Sequence, residues 1–176
     1  MIETHPFGKF VPPNAKYLIL GSFTGRQAVK GETVTDDSYD WFYGTRRNQF
    51  WPILEIVYGC ELKSKPAKQE LFTKLGIAMA DIIYQCERKD GNNLDNNLIN
   101  IVYNSEAIIE ILEKNQIEKI FFSSRFVENR FKQIFKNIVS RYPNINLITL
   151  PSPSPRYARL SIEQKISEYK KILPKI

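Results

Sequence analysis

The 176-residue sequence predicts an α/β fold, a three-layer α/β/α sandwich around a central four-stranded parallel sheet. Three observations carry this. Four short apolar runs have the length and composition of buried strands: KYLIL (16–20), IAMADII (77–83), EKIFF (118–122) and NLITL (146–150). Segments of helical period lie between them, and such alternation predicts parallel strands with helices on both faces and right-handed crossovers. No repeat and no linker-like stretch interrupts the pattern, so one domain over residues 1–176 is expected.

The elements follow in order. Residues 1–15 read as an irregular arm, because Pro6, Pro12 and Pro13 oppose regular structure. The first strand closes on Gly21-Ser22 and runs into the turn GSFTG (21–25); the polar segment Arg26–Ser38 reads as a loop. A helix is expected from Asn48 to Tyr58, with apolar residues at 50, 51, 54, 57 and 58 and Pro52 in its first turn. A second helix covers 65–75 and ends at Gly76, and the second strand carries Asp81 near its C-terminal end. The asparagine-rich stretch 85–98 reads as a loop, followed by a short helix at 97–103 and a helix capped by Ser105. A helix over about 125–139 places Val127, Phe131, Ile134, Phe135 and Ile138 on one face. The prolines of PSPSPRYAR forbid continuation of the fourth strand, and Ser161 with Gln164 forms a capping-box pair opening the last helix. That helix is expected to bury Ile162, Ile166, Tyr169 and Leu173.

Composition excludes several chemistries. Hydrophobic residues at 43% and charged residues at 25% fit a soluble globular chain. No run of eighteen apolar residues and no signal-peptide core is present, so a cytoplasmic protein without membrane contact is expected. Cys60 and Cys86 have no metal-like spacing and are too few for an iron–sulfur cluster. With His5 as the only histidine, a zinc site, a Ser-His-Asp triad and a Cys-His dyad all lack parts. Acid–base work would fall to carboxylates, amides or water, with no metal or cofactor. Residues 118–176 carry 12 Lys and Arg against 4 Asp and Glu, while residues 1–117 carry 13 against 15. A basic final third suits either a polyanion-binding face or a solvated basic surface.

Chemistry-bearing residues concentrate in Tyr39–Leu54, YDWFYGTRRNQFWPIL. Stacking surface (Tyr39, Trp41, Phe42, Tyr43), two arginines (Arg46, Arg47) and one amide (Asn48) suit a pocket for a nucleic-acid base. If this stretch is a strand, period two exposes some of the aromatics. Asn48 also stands where a helix begins, so it reads equally as an N-cap. Gly21, Ser22, Phe23, Thr24 and Gly25 can offer backbone N–H groups to an anion or a base carbonyl, or form a plain turn. Asp81 is an acid–base candidate or a turn residue. Ser152, Ser154, Arg156 and Arg159 lie in a rigid proline loop able to grip a phosphodiester, or simply to connect the last strand and helix.

As an ordered set these segments resemble the uracil-DNA glycosylase superfamily, closest to its hypoxanthine-DNA (deoxyinosine) and mismatch-specific uracil-DNA branches. GSFTG looks like the first motif, YGTRRNQFW (43–51) like the aromatic-to-Asn-X-Phe-Trp segment, and LPSPSPRYAR (150–159) like the second motif. ADIIYQCERKDGNNLD (80–95) and IEKIFFSSRFVENRF (117–131) are similar to the segments between them. The resemblance implies that Asn48 matches the catalytic asparagine of the hypoxanthine branch. Phe23 stands where the mismatch-specific branch has its own asparagine. Tyr43 would stack on the extruded base, and Gly21 to Gly25, with Asp81, would contact its edges. Arg46, Arg47, Arg125, Ser152, Ser154, Arg156 and Arg159 would hold DNA carrying a damaged or mismatched base. Thr24 replaces the usual proline of motif one, Thr45-Arg46 replaces a His-Pro, and 26–38 is an insertion.

The implied reaction is monofunctional hydrolysis of the N-glycosidic bond of a deaminated, flipped-out base by a monomer in base-excision repair. Two other readings stay open: a non-catalytic nucleic-acid or nucleotide-binding domain that keeps the fold, and an enzyme acting on free nucleosides.

Overall fold

The computed structural model describes residues 1–25 and 41–176. Tyr39 and the expected loop Arg26–Ser38 lie outside the described residues. The strands are β1 (Ile2–Thr4), β2 (Lys9–Phe10), β3 (Tyr17–Gly21), β4 (Ile77–Asp81), β5 (Ile83–Arg88), β6 (Leu98–Tyr103), β7 (Lys119–Phe122) and β8 (Asn146–Thr149). The helices are α1 (Phe50–Tyr58), α2 (Lys65–Leu75), α3 (Ser105–Lys114), α4 (Arg125–Ile134), α5 (Lys136–Arg141) and α6 (Ile162–Ile172).

The four apolar runs form the expected parallel ribbon, β4-β3-β7-β8, within a five-stranded sheet whose edge strand β2 runs antiparallel to β4. Strand period two sends successive side chains to opposite faces, which explains why consecutive residues at the centre of these runs are apolar. Leu18, Leu20, Ala78, Ala80, Ile120 and Phe122 pack on one face against α3, α4 and α5. Ile19, Ile77, Met79 and Phe121 pack on the other against α1, α2 and α6. Both faces are covered, giving an α/β/α sandwich with a mixed, mostly parallel sheet.

Several local expectations are corrected. Within the stretch read as a loop and short helix over 85–103, residues 89–94 are indeed a loop, followed by a 3-10 turn at Asp95–Asn97, but its two ends belong to β5 and β6, which join β1 in a separate antiparallel sheet of order β1-β5-β6. β6 alternates exposed and more buried residues, but β5 buries Ile83 and Cys86 three residues apart because its pairing with β6 shifts register, so no period-two pattern marks it in the sequence. The second strand ends at Asp81, and Ile82 separates it from β5. The N-terminal arm supplies β1 and β2, with its prolines falling outside them. Asn104, not Ser105, occupies the N-cap of α3. The helix over 125–139 breaks at Phe135 into α4 and α5, and Ile134 is exposed.

Capping was more legible. As expected, Gly76 closes α2, at φ +67°, and Ser161 with Gln164 makes the reciprocal box at α6; the cap of α2 by Ser64 was not read.

The strand order sets the site. From β3 the chain goes to β4 on one side, then returns across to β7 on the other. This reversal is a topological switch point, and it leaves a crevice beyond the carboxyl ends of the strands.

Candidate functional site

A cleft of about 910 Å³ opens at that crevice. Six separated stretches line it: Ser22–Gly25 after β3, then Tyr43, Thr45, Arg47 and Asn48 before α1, Asp81 at the end of β4, Asn92–Asp95, Ser123-Ser124 after β7, and Ser152–Tyr157 after β8.

Its floor depends on Gly21. A Cβ there would collide with Asp81 Oδ1 and lie 2.7 Å from the Tyr43 hydroxyl. Glycine is therefore what lets the carboxylate and the phenol approach the end of β3. The Tyr43 ring stacks on Phe50 at 4.2 Å between centroids, and its hydroxyl is buried without a hydrogen-bond partner. Burial, and then the Asp81 charge, hold that phenol well above its usual pKa. Tyr43 adopts φ +56°, a conformation that disfavours bulky side chains. The local backbone is a turn, not a strand, so Trp41 and Phe42 both enter the core instead of splitting across two faces. Trp51 Nε1 ties this turn to α1 by donating to Phe42 O at 2.7 Å.

Asn48 lines the cleft just before α1. Its Oδ1 accepts from Phe50 N at 2.9 Å, so the side chain does serve as a cap, although Gln49 occupies the formal N-cap position. A carbonyl oxygen has two lone pairs, and one is still able to accept from a water in the cleft.

Motif one is held from outside. Ile82 N donates to Gly21 O at 2.9 Å and Ile83 N to Ser22 O at 3.1 Å, extending the β3–β4 ladder into the turn. Arg88 Nη2 donates to Thr24 O at 2.8 Å, Nε pairs with Glu3 at 3.1 Å, and the guanidinium lies over Phe23. Ser22 Oγ donates to Asp95 Oδ1 at 2.6 Å. Burial raises the Asp95 pKa, and the nearby Asp81 charge adds to that; the Ser22 hydrogen bond and the Arg88 charge oppose it.

The loop after β8 is anchored at its base. The buried Lys165 Nζ donates to Gln49 Oε1 at 2.8 Å and to Ser154 O at 3.0 Å. Gln49 N donates to Pro153 O, and Tyr169 Oη to Pro151 O, both at 2.8 Å. Ser152 Oγ and Ser154 Oγ accept from the backbone two residues on, which leaves their hydroxyl protons able to donate outward.

The structure separates the expected arginines. Arg47 and Arg156 line the cleft and are exposed; Arg46 and Arg159 are exposed but stand outside its lining. Arg125 borders an adjoining cleft of about 610 Å³ and pairs with Glu128 at 2.8 Å. Asp81 and Ser22 to Gly25 line the cleft, whereas Gly21 stands outside the lining, against Asp81 and Tyr43.

Sequence reasoning missed four residues. His5 was set aside as an isolated histidine, yet its Nε2 lies 2.7 Å from Asp81 Oδ2 with both side chains almost fully buried. Asp95, Arg88 and Lys165 were passed over as ordinary charged residues. Only Arg88 and Asp95 left a signal, since both lie in the middle segment of the resemblance. Among the described residues no cluster of His, Cys, Asp and Glu could hold a metal ion, and no helix is long and apolar enough to cross a membrane. Cys60 is exposed and Cys86 buried, and neither takes part in a disulfide.

No family model and no curated protein matches the sequence. Among solved structures, the chain is similar to a protein from Methanosarcina acetivorans provisionally assigned as a uracil DNA glycosylase, solved in solution by NMR. The identity is 19%, the TM-score is 0.64, and the likeness covers 98% of this chain and 96% of that one. The chain thus has a uracil-DNA-glycosylase-like fold.

Proposed function

We propose that this chain is a monofunctional DNA glycosylase that removes a deaminated base, uracil or hypoxanthine, flipped out of DNA. One observation carries the reading. Residues of motif one, Tyr43, Asn48 and the PSPSPR loop, from Ser22 to Arg156 in chain order, line a single cleft at the strands' carboxyl ends.

The reaction follows from the lining. A damaged nucleotide rotates out of the stack at a cost of a few kcal/mol, least when it is mispaired. The part of the Tyr43 ring not covered by Phe50 offers stacking surface, worth roughly 1–3 kcal/mol. As the N-glycosidic bond loosens, backbone donors of Ser22 to Gly25 stabilise charge building on the leaving base. Asn48 Oδ1 orients a water toward the sugar carbon. An amide is a weak base, so the rate rests on positioning and on stabilising the leaving group. Ser152, Ser154, Arg47 and Arg156 hold the phosphates flanking the lesion.

The test is a panel of duplexes carrying one uracil, hypoxanthine or xanthine, incubated with stoichiometric protein and treated with alkali to reveal abasic sites. Strand cleavage on at least one lesion is expected. Intact strands on all of them would refute the reading. The hydrogen bond from Phe50 N to Asn48 Oδ1 favours a second reading, a binding domain in which Asn48 is only a cap. In that case Asn48→Ala leaves DNA affinity unchanged and there is no excision to lose.

A further inference from the structure

A water that attacks a sugar carbon has to give up a proton, and Asn48 is a poor group to take it. An amide is a weak base, and the Asn48 carbonyl oxygen already accepts from Phe50 N. Among the described residues, no histidine or lysine lines the cleft, and its carboxylates are those of Asp81 and Asp95. Asp81 is committed: Oδ2 lies 2.7 Å from His5 Nε2, with both side chains almost fully buried. Asp95 is placed differently. It opens the 3-10 turn between β5 and β6 and stands where the two clefts meet, lining both. The asparagines around it fix its backbone. Asn92 Oδ1 accepts from Leu94 N at 2.9 Å and from Asn97 Nδ2, while Asn97 N donates to Leu94 O and Lys89 N to Asn97 O, both at 3.0 Å. Asp95 Oδ1 accepts from Ser22 Oγ at 2.6 Å, which ties the carboxylate to motif one. Oδ2 has no hydrogen-bond partner among the described residues and is not an enclosed atom, so it is open to the space that Asp95 borders. Burial and the neighbouring Asp81 charge make this carboxylate hold a proton more readily than an exposed aspartate does.

We infer that Asp95 is a second catalytic residue, the general base whose Oδ2 takes a proton from the water that Asn48 orients. This rests on the proposed glycosylase reading and deepens it. The water oxygen bonds to the sugar C1′ as the C1′–N bond breaks, and the electron pair of that bond leaves with the base. One water proton passes to Asp95 Oδ2. It is then released through solvent to the departing base anion, which restores the carboxylate. Positioning and proton acceptance are thus divided between two side chains, an amide before α1 and a carboxylate on the connection between β5 and β6. The hydrogen bond from Ser22 holds Oδ1, so that Oδ2 is the oxygen presented for the transfer.

The test pairs single-turnover excision, on whichever lesion the wild-type chain processes fastest, with scanning calorimetry at the same neutral pH. Asp95→Asn keeps an oxygen for Ser22 and removes the charge. It should lower the excision rate about a hundredfold, as loss of a positioned base does, while raising Tm because a desolvated charge is gone. A residue that merely supports the fold would move both in the same direction. Asp95→Ala should lose as much activity, and added formate should restore part of it by supplying a carboxylate in the vacated space, whereas neutral formamide should not. Asp95→Asn excising within about twofold of wild type overturns the inference and leaves the glycosylase reading standing. A loss accompanied by a lower Tm, or a loss in Asp95→Ala that formate does not relieve, marks a structural carboxylate and overturns the inference as well. No excision by the wild-type chain on any lesion ends both the inference and the repair reading.

Discussion

At the floor of the cleft, His5, Asp81 and the Tyr43 hydroxyl are buried, and Gly21 sets the distance between them. At its rim, Arg47 and Arg156 stand in solvent. The two regions contribute by different physics. A polar group on the floor works at low dielectric, where one misplaced atom is costly. A charge on the rim is screened, and its attraction to phosphate is long-range and tolerant of position. Floor changes should therefore alter which base is processed and how fast. Rim changes should alter only how strongly any DNA is held.

The sharpest separation comes from Asn48→Ala, which should lower single-turnover excision by about a hundredfold to a thousandfold, the cost of losing a positioned polar group at a reacting centre. Affinity for undamaged duplex should not move. Equal losses in both would merge floor and rim. Next is Gly21→Ala, whose methyl group meets Asp81 and Tyr43. It should cost about 1–3 kcal/mol of stability in urea unfolding and more than tenfold in excision. An alanine variant as active as wild type would show that the floor is not tightly fitted.

Lys165→Met probes the junction between the two regions. It leaves Gln49 Oε1 and Ser154 O without their shared donor. A loss of about 1–3 kcal/mol in urea unfolding is expected, with KM raised more than kcat is lowered. Asp95 supplies a pH test. Its folded pKa lies above its unfolded value, so the folded state holds the proton more tightly. Stability from this group is present below the unfolded pKa and is lost as pH rises through the folded one. Asp95→Asn should therefore raise Tm near neutral pH and leave it nearly unchanged at acidic pH, as scanning calorimetry would show. The smallest effect belongs to the rim: Arg47→Ala or Arg156→Ala should weaken binding to all duplexes a few-fold and reduce the salt slope by about one each.

The parallel ribbon was readable because the inner residues of KYLIL, EKIFF and NLITL are consecutive apolar residues, as strands buried on both faces need. The turn after Gly21, Asp81 and the PSPSPR loop were placed at one rim by topology alone. The β5–β6 pair was not readable, because register shifts break the alternation of β5 and Gln85, Glu87 and the asparagines between the strands read as loop. His5 was invisible for a different reason. Its partner is 76 residues away, and no local spacing joins the N-terminal arm to the end of β4. Lys165 and Arg88 were passed over, since their burial is decided by carbonyls and rings on distant segments.

The central claim is that the cleft accepts an everted base. The most direct measurement is a crystal structure of the Asn48→Ala chain bound to a duplex with one hypoxanthine. The account predicts that base lying between the Gly21–Gly25 turn and the Ser152–Tyr157 loop, beside Tyr43 and over Asp81. A duplex bound with its hypoxanthine still stacked in the helix and the cleft vacant would contradict it.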